Sequence, residues 1–290
     1  YCAGFSGVPV GLSGSENGID YQLQVNNINT GLAIAGTGAA FSFGNQTTAG
    51  TYTVIATNQT TGCIDTMNLS VDITIDPLPN QYNLTGGGTY CAGGAGMEVG
   101  LDNSDAGIDY QLLVNGANTG MPVAGIGGAI SFGDQTAAGL YTVIATNTTT
   151  LCSDTMIDTV TVIIAPLPTL YNVTGGGSYC VGGPGVGIGL DGSQPGIEYH
   201  LILNGITKVD SLMGTGVALS FGNQTTAGTY IITATDTTTS CSSMMTGSPT
   251  IVINPVPTVS FTGLASAYCL NDPPATLTGN QAPDGTFSSS

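Results

Sequence analysis

Ala49-Gly-Thr-Tyr-Thr-Val-Ile-Ala-Thr-Asn58 returns almost unchanged as Ala138–Asn147 and again as Ala227–Asp236. Within it Tyr52, Val54 and Ala56 fall on one side of an extended chain, the period of two that marks a strand with one buried face. Upstream lies a second alternating run, Gly18-Ile-Asp-Tyr-Gln-Leu-Gln-Val-Asn26, matched by Gly107–Asn115 and Gly196–Asn204. A shorter one, Ala40-Phe-Ser-Phe43, has Ile130-Ser-Phe132 and Leu219-Ser-Phe221 in its place. Every match is offset by 89 residues, as in 138 − 49 = 89 and 227 − 138 = 89, so the chain is one unit copied.

Further strands follow in each copy. Val8, Val10 and Leu12 alternate, a weaker run lies near Leu32–Ala35, and a last one goes from Cys63 through Val71, Ile73 and Ile75 to Pro77-Leu-Pro79. Proline cannot donate to a ladder, so Pro-x-Pro ends a strand and stiffens a joint. Six or seven strands per copy without helical periodicity predict an all-β chain of tandem immunoglobulin-like β-sandwich modules of about 89 residues. The Ala-Gly-Thr-Tyr start fits the tyrosine corner of such domains, whose hydroxyl bonds back across the bend. A β-solenoid is the alternative, but its rungs repeat every 20 to 30 residues and no such sub-period occurs. With the Pro-x-Pro pairs as joints, the expected modules are 1–79, lacking its first strand, then 80–168, 169–257 and an incomplete, divergent 258–290. Tyr82-Asn-Leu-Thr-Gly-Gly-Gly88 and Tyr171-Asn-Val-Thr-Gly-Gly-Gly177 are read as first strand and turn.

Composition removes several function classes. One Lys or Arg against 18 Asp or Glu gives a net charge of −17 among 290 residues. Nucleic acids and anionic membrane surfaces are bound through several Lys and Arg, and a single cation cannot supply that contact set. No stretch approaches about 18 consecutive apolar residues, the length that spans a bilayer as a helix. At 41% hydrophobic, the chain is no disordered acidic tail. Charged residues make up 7%, against about 25% in ordinary globular proteins, so the surface must be Thr, Ser, Asn, Gln and Gly.

The seven cysteines keep the same ruler. The differences 63 − 2, 152 − 91 and 241 − 180 are each 61, and the starts Cys2, Cys91, Cys180 and Cys269 are 89 apart. No Cys-x-x-Cys occurs, which argues against zinc. The constant spacing predicts three disulfides within repeats, Cys2–Cys63, Cys91–Cys152 and Cys180–Cys241, each closing a loop of about 60 residues for roughly 4 kcal/mol. Cys269 stays unpaired, its partner falling by the ruler near position 330, and the chain is expected to be part of a longer array. A free reactive thiol is the competing reading of Cys269. Disulfides place the chain in an oxidising compartment.

Tyr-Cys-Ala-Gly-Gly, Gly-x-x-Tyr-x-Leu-x-x-Asn-Gly, Ser-Phe-Gly-Asn-Gln-Thr and Ala-Gly-Thr-Tyr-Thr-Val-x-Ala-Thr-Asn together resemble the immunoglobulin-like or PKD-like tandem modules of large Bacteroidota surface proteins. Those include gliding-motility adhesins and other type IX secretion substrates. The resemblance covers the whole chain and implies an extracellular stalk or filament. It also implies O-glycans on Asp-Ser/Thr followed by an apolar residue or Thr, which here gives Thr66, Thr155, Thr159, Ser211 and Thr237.

No catalytic site is expected. The one histidine, His200, replaces Gln111 and Gln22 of the other copies, and Lys208 replaces Thr119 and Thr30, so both are substitutions within a repeat. The best acid cluster, Asp102, Asp105 and Asp109, offers hard oxygens that could take Ca²⁺, the one cofactor considered. The plainer reading is solvated turn acids. The expected function is a structural stalk or filament segment of a secreted or cell-surface adhesin. Its partners would be neighbouring modules of the same or identical chains, with surface glycans or other cells as adhesive targets. One alternative is a carbohydrate-binding array on an extracellular hydrolase, which the absence of Trp and the alternating, buried placing of Tyr and Phe argue against. Another is a self-assembling filament subunit in which 258–290 completes the first module of a neighbouring copy.

Overall fold

The structure is a computed structural model that describes residues 1–280. Every regular element among the described residues is a strand. The chain divides into two compact units, Tyr1–Ala165 and Pro166–Ser290. Copies one and two share the first unit, and the break falls immediately before Pro166-Leu-Pro168.

Copy two shows the complete immunoglobulin-like sandwich. One face has Leu84–Gly86, Met97–Leu101 and Ile130–Gln135 side by side. The other orders Gly88–Cys91, Val160–Ala165, Gly139–Asn147 and Ile108–Val114, with the short Ala117–Asn118 at its edge. Neighbours run antiparallel except Gly88–Cys91, which lies parallel to Val160–Ala165. Alternation does what the pattern demands: Val99 and Leu101 from one face meet Tyr110, Leu112, Tyr141, Val143 and Val162 from the other in one core.

Two local devices recur and explain why their residues recur. The tyrosine corner is present three times: the hydroxyls of Tyr52, Tyr141 and Tyr230 donate to the carbonyls of Thr48, Ala137 and Thr226, each at 2.8 Å. Asn26, Asn115 and Asn204 sit at positive φ after the strand that carries the core tyrosine. Their Oδ1 atoms accept the N–H of Thr51, Leu140 and Thr229 at 3.0 Å, latching the start of the neighbouring strand. The residue before that N–H must be glycine, because a Cβ on Gly139 would stand 2.6 Å from the Asn115 side chain.

Copy three, in the second unit, repeats the plan with its own core of Ile188, Leu190, Tyr199, Leu201, Tyr230 and Ile232. Here Ile197–Leu203 and Thr207–Met213 form a continuous hairpin in place of the two short edge strands. Copy one differs on one face, where Val8–Leu12 and Phe41–Gln46 make a sheet of only two described strands. Beyond Pro257, Phe261–Thr262 pairs with Thr278–Gly279. Residues 281–290 of the expected fourth module lie outside the described residues.

Candidate functional site

The disulfides overturn the expected pairing. Cys2 is bonded to Cys152, with a Cα–Cα distance of 5.5 Å and 150 residues between them. Cys63, Cys180 and Cys269 are free and exposed. Cys91 and Cys241 are also disulfide-bonded and stand 241 − 91 = 150 residues apart. None of Cys2–Cys63, Cys91–Cys152 and Cys180–Cys241 forms.

Strand polarity is the physical reason. Cys91 ends the strand that runs parallel to Val160–Ala165 and lies beside Ala165, where the chain leaves the sandwich. Cys152 follows the opposite end of the neighbouring strand Gly139–Asn147, its carbonyl accepting the N–H of Asn147. Nine strand residues at about 3.3 Å each hold the two cysteines about 30 Å apart. A disulfide needs Cα atoms within about 7 Å, so the two cysteines of one copy cannot meet. Each sandwich therefore has a leading pole, with the second cysteine, and a trailing pole, with the first.

The Tyr-Cys pair is positioned by the tyrosine. The hydroxyls of Tyr1, Tyr90 and Tyr179 donate to the carbonyls of Thr47, Thr136 and Thr225 at 2.7, 2.7 and 2.6 Å. Cys2 then bridges in parallel to Asp76, one residue before Pro77-Leu-Pro79. At the leading pole, Asn147, Asn58 and Asp236 each cap a Thr-rich turn, their Oδ1 accepting two backbone N–H groups two and three residues on. Those two bonds hold the Asp236 carboxyl below the usual carboxylate range. The turn delivers the second cysteine, so Cys2–Cys152 crosses the joint between copies one and two.

The strand after the joint is docked onto the same leading pole. Gln81 donates to the Asp154 carboxylate at 3.0 Å and to the Thr155 carbonyl at 3.1 Å, and the Tyr82 N–H points at the Met156 sulfur. The Tyr82 hydroxyl donates to Asp105 at 2.7 Å, which holds its pKa above the ordinary tyrosine value. Asp102 accepts both the N–H and the Nδ2–H of Asn83, at 3.0 and 2.7 Å. In copy three Asp191 does the same for Asn172, and these bonds hold its carboxyl below the usual range.

The acid cluster is thus occupied with anchoring a strand. Asp109 pairs across to Ala124 and Thr146 at the edge of the other sheet. Among the described residues no group of three or more His, Cys, Asp and Glu stands together as metal ligands; Asp105 and Asp102 are bonded to Tyr82 and Asn83, and Asp109 lies on the strand Ile108–Val114. His200 Nδ1 lies 3.8 Å from Glu198 Oε1, and Lys208 Nζ lies 4.0 Å from the same oxygen, on adjacent strands of copy three. Of the residues named for O-glycans, Thr66, Thr155 and Thr159 are exposed and Ser211 is half-buried. Thr237 is exposed but donates its hydroxyl to the Gly196 carbonyl at 3.0 Å. The signal for the joint that residue spacing missed lay in Gly86-Gly87-Gly88, all at positive φ, where the chain crosses from one sheet to the other.

No family model matches the chain, and no curated protein matches it. Among solved structures it is similar to the full Ig1–Ig3 ectodomain of mouse nectin-like molecule 4, at 10% identity over 86% of this chain and 95% of that one, with a TM-score of 0.36. It is similar to the FN1–FN3 domains of chicken CNTN1 at 12% identity, over 82% and 89% of the two chains, with a TM-score of 0.30. Immunoglobulin domains 1–4 of Sidekick-1 match at 14% identity, over 94% and 78%, with a TM-score of 0.23.

Proposed function

We propose that the chain is a load-bearing segment of a repetitive stalk or filament in a secreted or cell-surface adhesin. The observation that carries this is the Cys2–Cys152 bond, which closes across the joint rather than inside a sandwich. A bond inside each module would protect that module's fold; a bond across the joint makes neighbouring modules one covalent body. Disulfides persist in oxidising, extracytoplasmic compartments, which supports an extracellular location. No helix among the described residues is long and apolar enough to cross a membrane. The core tyrosines are buried, and Phe5, Phe261 and Tyr268 are the exposed large aromatics among the described residues, a poor platform for sugars. The sequence resemblance to Bacteroidota surface modules exported by type IX secretion fits this role, and Thr66, Thr155 and Thr159 are the places where O-glycans would extend freely.

Single-molecule pulling on the ends of the chain tests the reading. The oxidised chain should extend by at least about 500 Å less than the reduced one, the full contour of the 150 residues closed by Cys2–Cys152, until a reductant is added. Full extension without reductant would sink it.

A further inference from the structure

Three Asn-Gly dipeptides occur in the chain, Asn17-Gly18, Asn115-Gly116 and Asn204-Gly205. Asn-Gly is the dipeptide most prone to lose its side-chain amide, because glycine has no Cβ to keep its backbone nitrogen away from the asparagine Cγ. Residue order alone makes the three equivalent. The fold does not.

Asn115 and Asn204 are latches, each tied twice to the neighbouring strand. The Oδ1 atom accepts the N–H of Leu140 or Thr229 at 3.0 Å, and the backbone N–H donates to the carbonyl of that same residue at 2.8 Å. With φ at 51° and 50°, both lie in the left-handed region, where ψ is about +47° and the next nitrogen stands nearly anti to Cβ. Attack on Cγ needs that nitrogen eclipsed with Cβ, so latch and backbone must both give way first.

Asn17 has neither restraint. It is exposed in the turn before Ile19–Val25, its φ is negative, and among the described residues its side chain makes no hydrogen bond. Exposure belongs to this place in the sandwich, since Ala106 and Pro195, its counterparts in copies two and three, are exposed as well. The turn also supports its surroundings. The Gly18 carbonyl accepts the Gln59 N–H at 2.9 Å, and Asp20 accepts the Gln59 side chain at 2.7 Å. In the other copies the carbonyls of Gly107 and Gly196 hold Thr148 and Thr237 through both N–H and hydroxyl. This turn therefore props the Thr-rich turn that delivers the second cysteine of each copy.

We infer that Asn17 is a site of spontaneous covalent modification, converting to isoaspartate and aspartate, while the latch keeps Asn115 and Asn204 intact. The Gly18 nitrogen gives its proton to water and bonds to Asn17 Cγ; the Cγ–Nδ2 bond breaks and ammonia leaves, closing a succinimide. One water then opens the ring at either carbonyl. Opening at the backbone carbonyl reroutes the main chain through Cγ and lengthens the turn by one carbon. Either product adds a negative charge between Glu16 and Asp20, and the longer turn withdraws the Gly18 carbonyl from Gln59. Modification thus loosens the leading pole of copy one and leaves those of copies two and three as they are.

The test holds the folded chain in mildly alkaline buffer and maps its peptides by mass spectrometry, with isoaspartate marked by enzymatic methylation. Conversion at residue 17 is expected to be at least about tenfold faster than at 115 or 204, a factor that the two hydrogen bonds of the latch supply. In denaturant the three positions should convert at similar rates. Gly139→Ala, whose Cβ would stand 2.6 Å from the Asn115 side chain, should raise the rate at 115 and leave 204 unchanged. The modified chain should show faster amide exchange at Gln59. Equal rates at the three positions in the folded chain, protection of 115 or 204 that persists in denaturant, or no effect of Gly139→Ala would overturn the inference.

Discussion

Copies one and two differ less in sequence than in what surrounds them. Both have the corner tyrosine, the Asn latch and the buried tyrosine on the facing strand. Copy two adds a strand that follows a Pro-x-Pro joint and a disulfide to its predecessor; copy one has a groove and a thiol there. The difference teaches that a repeat of this kind is completed at its leading pole. The last apolar side chains enter the core with the strand after the joint, and the covalent lock belongs to the joint.

The largest expected effect comes from the staple. Cys152→Ser should cost up to about 5 kcal/mol in denaturant unfolding, the chain-entropy value for a loop of this length, and Cys63→Ser less than about 0.5. Equal losses at the two positions would restore pairing inside repeats and erase the comparison. Next come the methionines. Met156→Ala removes a buried side chain that meets the docked strand and should cost about 2–5 kcal/mol, while Met67→Ala should cost under about 1.

The smallest effect is a pH dependence of strand docking. Asp191 has its pKa lowered by the Asn172 side-chain and backbone bonds, so its contribution is present above the ordinary value of 3.8 and is lost as pH falls through the lower, folded-state value. Tyr82 has its pKa raised by Asp105, so its contribution is present below 10.0 and is lost as pH rises beyond it. Amide exchange of Asn83 and Asn172 should therefore quicken first at the alkaline limit in copy two and at the acid limit in copy three. Identical profiles for Asp191→Asn and the parent chain would remove the acid arm.

What the sequence displayed and what it hid divide along the range of the interaction. The strands around Tyr52, Tyr141 and Tyr230 were legible because alternation and the corner bond to the residue four before are local. The expected Cys partners failed because a constant 61-residue spacing counts residues and is silent about which pole a residue reaches. That depends on Gly88–Cys91 joining the second sheet in parallel, a long-range pairing with no periodic trace. Asp102 and Asp105 stood out as an acid cluster, but their partners, Asn83 and Tyr82, were read as part of a first strand rather than as ligands of those carboxylates.

The offset of the staple has a consequence for how such chains change over generations. The 150 residues from Cys2 to Cys152 are one period plus the internal spacing, 89 + 61. Recombination between repeats of the coding sequence that adds or deletes one whole unit leaves every interior cysteine facing a partner at the same offset. A rearrangement that removes one cysteine of a repeat and keeps the other strands a thiol in a neighbouring repeat. Covalent linkage of this type therefore tolerates gain or loss of whole units and penalises breaks between the two cysteines of one unit.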